Sequence, residues 1–165
     1  MATALLLFAF LPACQKSRTL AFRVENVPIL AEGPLFEGAN TAQGTYMSTL
    51  NDFLAQNGAT SRQLHGARLT RATISVPDSL NLDLLNALTL QFAGAQTDMQ
   101  KMGVLNPVPK GQRRVELQVA QEQSKVADFF RESAFTIVVD ADVARDTAMN
   151  LELRGDFEFE LEIKN

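Results

Sequence analysis

The side chains able to do chemistry are few, and their spacing says much about what they can do. The chain has 165 residues, with one histidine, one cysteine and no tryptophan. His65 has Ser61 four residues before it, but there is no Gly-x-Ser-x-Gly turn, and its nearest carboxylates in sequence are Asp52 and Asp78. A hydrolytic triad therefore has no local support, and His65 beside Gly66 reads as a surface or edge residue at a strand start. A single His and a single Cys cannot complete a zinc site. Asp140, Asp142 and Asp146 could converge on a Ca²⁺ if the chain folds back between them. The stretch lacks the glycine and terminal Glu of an EF-hand loop, so turn geometry is the first reading and calcium the second; no cofactor is expected.

Two further patterns invite a chemical reading. Glu158, Glu160 and Glu162 form a row of carboxylates, but on a strand such neighbours stand about 7 Å apart on one open face, with nothing to desolvate one of them and raise its pKa. A hydrolase built on Glu158 or Glu160 would need one of the two to be buried in a cleft. Arg154, Gly155 and Asp156 spell the tripeptide that integrins recognise, yet they fall inside a long strand, where a Gly marks a bulge or close packing.

That strand is the element the chain is organised around. From Met149 to Ile163 every second residue is apolar or glycine, and the residues between are polar or charged. A period of two with no exception requires a β-strand with one dry and one wet face. Earlier segments supply its partners: strands over Leu20–Val24, His65–Val76 with a bulge at Thr70 or Arg71, Leu88–Phe92, Val115–Val119 and Phe135–Val143. Asn26, Pro28, Gly33 and Pro34 stop the first of these, and a hairpin over Asp142–Thr147 leads into the last. A helix behind Thr45 carries Tyr46, Met47, Leu50, Phe53 and Leu54 and ends at Asn57 and Gly58, forming a cap over an open end. Ser124 starts a short second helix. Residues 94–111 lack periodicity and read as a long loop, with Met99, Met102, Val104 and Leu105 as candidate binding residues. The expected fold is all-β: an immunoglobulin-like antiparallel β-sandwich of six or seven strands in Greek-key order with one or two short helices. It has neither the inter-sheet cysteine pair nor the core Trp of the immunoglobulin family.

Composition narrows the partners. A formal charge of −4 and a pI near 5.0 leave no basic field for phosphates, so nucleic acid is excluded as an expected partner. Eleven Phe against one Tyr put the aromatics in the core rather than on a recognition surface. At this length one domain can bury roughly 70% of the surface its unfolded chain exposes, without a disulfide or metal.

The first residues read differently. Leu5–Leu11 is an apolar run too short to span a bilayer, followed at once by Pro12, Ala13 and the only cysteine, Cys14. Leu11, Pro12, Ala13 and Cys14 resemble the lipobox of bacterial lipoproteins. The resemblance implies a signal peptide over residues 1–13, a diacylglycerol on Cys14, a lipidated tether over 14–18 and a folded domain over 19–165. Gln15, Lys16 and Ser17 place no Asp beside the Cys, which by the same resemblance favours the outer membrane, facing the periplasm. The layout around Pro77, Leu80–Leu90 and Asp128–Asp140 loosely resembles uncharacterised β-sandwich lipoproteins of bacteria, a likeness that carries no activity. The expectation is a non-catalytic binding or interaction module of the cell envelope, attached to the membrane through an N-terminal lipid and contacting an envelope protein or polymer. The 94–111 segment would be its first contact surface and the 45–57 helix its second. A carrier of an apolar ligand between the sheets is the first alternative, with Met99 and Met102 at its mouth; the carboxylate hydrolase is the second.

Overall fold

The computed structural model describes residues 17–77 and 80–164. Eight strands run in chain order: β1 Ser17–Ala31, β2 Gly38–Met47, β3 Leu64–Ser75, β4 Leu85–Ala93, β5 Gln100–Leu105, β6 Arg114–Val119, β7 Ala134–Val143 and β8 Leu151–Lys164. Two short helices, α1 Leu50–Gln56 and α2 Val126–Arg131, lie in the β2–β3 and β6–β7 connections. No helix among the described residues is long and apolar enough to cross a membrane.

The all-β expectation holds, but the six- or seven-stranded immunoglobulin-like sandwich does not: the strands close into one barrel in the order β1-β2-β7-β4-β5-β6-β3-β8. Every pairing is antiparallel. Two seams are thin. β1 meets β2 only at Leu30 and Gln43, and β5 meets β6 only at Gly103–Val119 and Val104–Gln118. The barrel is thus two curled four-stranded sheets, β1-β8-β3-β6 and β2-β7-β4-β5, touching along their edges. Its partners β1–β8, β2–β7, β3–β6 and β4–β5 are those of one long hairpin rolled on itself, the jelly-roll wrapping.

β8 lies between β1 and β3 and alternates strictly, with Leu151, Leu153, Gly155, Phe157, Phe159, Leu161 and Ile163 buried. The bulge expected in β3 falls between Leu69 and Arg71. β1 is longer than expected because Asn26, at φ 58°, absorbs a bulge between Val24 and Val27, after which the strand continues through Pro28. β2 and β5 were not expected. β2 reads GANTAQGTYM and buries only Ala42, so it lacks an apolar period. β7 pairs with β2 and β4 while β8 pairs with β1 and β3, so the 144–150 connection crosses between sheets and is not the hairpin expected there. The interior is packed with phenylalanine: Phe92 contacts Phe129, Phe135, Phe157 and Phe159 at ring-centroid distances of 5.1–6.2 Å. Phe22 joins from β1, against Phe53 of α1 and Phe130 of α2.

The two ends differ. Ser17 pairs with Lys164 at the end that carries α1 and α2, and Arg18 donates from its guanidinium to the carbonyls of Asn57 and Gly58, where α1 stops. Residues 32–37, 76–77, 80–84, 106–113 and 144–150 gather at the opposite end in four connections.

Candidate functional site

The 94–111 segment is not one continuous loop but two connections, 94–99 and 106–111, on either side of a strand. β5 occupies its centre, held by β4 along Leu88–Phe92 and by β6 at two positions. Met102 is fully buried, Val104 and Leu105 are half-buried, and only Met99 is exposed. Four candidate binding residues are therefore mostly wall and core. Short Gly- and Pro-rich flanks concealed the six-residue strand between them.

The aspartates of the calcium reading are each engaged elsewhere. Asp140 accepts from Thr41 Oγ1 on β2 and from Gln91 Nε2 on β4; Asp142 accepts from Asn86; Asp146 accepts the backbone N–H of Glu37 at 2.8 Å. Among the described residues no cluster of His, Cys, Asp or Glu could hold a metal ion. These carboxylates stitch strands and loops together. Cys14 lies outside the described residues, and His65 is exposed at the start of β3.

The glutamate row of β8 faces solvent and is matched by arginines from both neighbours. Arg68 reaches Glu160 at 2.5–2.6 Å and Arg23 reaches Glu158 at 3.7 Å, with Glu158 and Glu160 about two-fifths exposed. Neither carboxylate is desolvated, so the environment that a general acid needs is not built here. The Arg154–Gly155–Asp156 tripeptide is locked into the sheet. Asp156 accepts the backbone N–H of Asn26 at 2.7 Å and pairs with Arg114 at 2.9 Å, while Arg154 donates to Asn26 Oδ1 at 2.8 Å. Gly155 is buried where any Cβ would collide with the Phe157 ring.

The described residues form several surface concavities, and two of them adjoin the features above or the exposed apolar side chains. The first, about 580 Å³, lies on the outer face of β1-β8-β3-β6 beside the Asn26 bulge and is walled by Arg23, Arg71 and Arg114. Each arginine is already paired: Arg23 with Glu158, Arg71 with Glu116 and Arg114 with Asp156. This groove is a charge ladder with no unpaired cation among those three to offer an anion.

The second, about 290 Å³, lies at the four-loop end, between residues 80–85 and the 144–150 connection. Leu82 and Leu85 are buried at its base, and Leu80 and Met149 are exposed at 38% and 60%. Of the six exposed large hydrophobics among the described residues, Leu30, Phe36, Leu80 and Met149 belong to this end or to the strand tip beside it. Phe36 is joined to it structurally, because Leu35 and Thr147 form a backbone bridge and Asp146 holds Glu37. Sequence reading missed this site because its residues come from separate connections that only the barrel's wrapping brings together.

No protein-family model matches the chain, and no curated protein matches it. Among solved structures it is similar to a chain of Desmodium yellow mottle tymovirus (12% identity, all of this chain and 97% of that chain, TM-score 0.36). A chain of turnip yellow mosaic virus is similar at 12% identity (99% of this chain, 89% of that chain, TM-score 0.30). At those scores neither likeness bears on fold or function.

Proposed function

We propose that the chain is a non-catalytic binding module of the bacterial cell envelope, anchored through a lipid on Cys14 and contacting an envelope protein or polymer with its four-loop end. One observation carries this reading: Ser17, three residues after Cys14, opens β1 at the helical end, whereas the exposed hydrophobic side chains gather mainly at the opposite end. Three residue steps reach about 10 Å, and β1 alone extends roughly 45 Å, so a lipid on Cys14 would keep the helical end at the bilayer and hold the loops away from it. Of the 45–57 helix expected from sequence as a second contact surface, only Leu50–Gln56 is helical, Thr45–Met47 being the end of β2 paired with β7, and this α1 then faces the membrane side. The phenylalanine-filled interior favours this reading over a carrier of apolar ligands, and the solvent-facing glutamates favour it over a hydrolase.

The test is an intact mass and N-terminal peptide of the protein from its native membranes, beside a Cys14→Ser variant. A chain beginning at Cys14 with added acyl mass, and loss of that mass and of membrane association in Cys14→Ser, is the expected result. An unmodified Met1–Ala13 segment on the membrane-extracted protein removes the anchor from the proposal. Stable attachment needs more than one acyl chain, so the added mass should correspond to at least two.

A further inference from the structure

Resting on that reading, we infer that the notch at the four-loop end takes a single large apolar side chain from a short, basic segment of a partner protein. Its volume of about 290 Å³ lies at the lower limit for small-molecule pockets, which suits one side chain and not a lipid or a cofactor. Leu80 and Met149 at its mouth give an apolar, adaptable lip, methionine being the side chain that best accommodates varied shapes. Around that lip stand three carboxylates, Asp83, Asp146 and Glu152, against one cation, Arg145. Glu32 and Glu37, both exposed, extend the acidic side along the 32–37 loop that Asp146 holds in place. Lys110, itself exposed, donates its ammonium to the carbonyls of Asp83 and Leu85 and so adds a second cation beside the rim, which stays acidic with Glu32 and Glu37 counted. An apolar hole with an acidic rim selects an apolar residue flanked by Lys or Arg: burial of the anchor supplies affinity, and the rim supplies steering and choice of partner.

The experiment uses the full-length protein in detergent and two dye-labelled hexapeptides, one with Leu-Phe between paired lysines and one with Leu-Phe between paired glutamates. The lysine peptide should bind at least tenfold more tightly by fluorescence anisotropy. Binding should weaken about tenfold in Leu80→Ser and Met149→Ser and weaken again in Glu152→Lys, a surface change whose fold is checked by circular dichroism. Equal binding of both peptides, binding of neither, or binding indifferent to Leu80→Ser and Met149→Ser overturns the inference. In cells, a photo-crosslinking amino acid at position 149 should capture a segment rich in Lys and Arg, read by mass spectrometry. Capture there of an acidic segment or a polysaccharide overturns the partner chemistry while leaving the four-loop end as the contact surface. Capture only from position 47, at the helical end, overturns both.

Discussion

Glu132 shows how much a single half-buried side chain can organise. It ends α2, and its carboxylate accepts the backbone N–H groups of Ala95 and Gln96 in the β4–β5 turn, with Gly94 leaving the room a Cβ would fill. The hydrogen bond from the Thr97 side chain, helped by those backbone donors and opposed by desolvation, holds its pKa below the usual carboxylate value of 4.5. A depressed pKa means that the ionised form favours the folded turn. Its contribution is complete above the unfolded carboxylate pKa and fades as pH falls through the folded one. The protection factor of the Ala95 amide, its exchange measured against the intrinsic rate at the same pH, should therefore fall as pH drops below about 4.5, and Glu132→Gln should lower that protection at neutral pH and flatten its pH response. A second position carries backbone strain: Asn26 sits at φ 58°, so Asn26→Val should cost about 1–2 kcal/mol in urea unfolding, whereas Asn26→Gly should lose less.

At the scale of elements, what was legible is what carries periodicity. β8, β3 with its bulge, β4, β6 and β7 announce themselves because one face of each packs on the core, and the helix stop at Asn57 and Gly58 follows from the left-handed φ of Gly58. β2 was illegible for the opposite reason. Its residues are small and polar, and it is a strand because β7 pairs with it from Gly38 to Met47. Tertiary pairing overrides a weak local preference there. β5 is short, and β1 passes through residues that usually stop strands. The candidate site suffered most, since its side chains come from connections, and connections have no period to read. Gly44 tests the thin seam between β1 and β2: any Cβ would strike the carbonyl oxygen of Pro28, a backbone atom with little freedom to move. Gly44→Val should destabilise the fold by roughly 1–3 kcal/mol and shift the denaturant midpoint while leaving the slope unchanged.

At the scale of the molecule, the barrel is held by its interior and not by its charged exterior. Phe92 touches four other rings, so Phe92→Ala should cost about 3–5 kcal/mol. Glu160→Gln, which breaks an exposed ion pair with Arg68, should cost under about 1 kcal/mol. Thermal unfolding of the two variants checks that ordering. The pairing of Ser17 with Lys164 brings the first and last strands together at the helical end. Circular permutation could exploit this: a short linker joining those residues, with new ends opened in the 144–150 connection, would keep all eight strands and, with a lipid attached at the new N-terminus, reverse the molecule on the anchor proposed above. A permutant carrying its lipid at the loop end would turn α1 and α2 outward and press Phe36 and Met149 toward the bilayer. The same barrel would then be hung upside down, separating what orientation contributes to its role from what shape contributes.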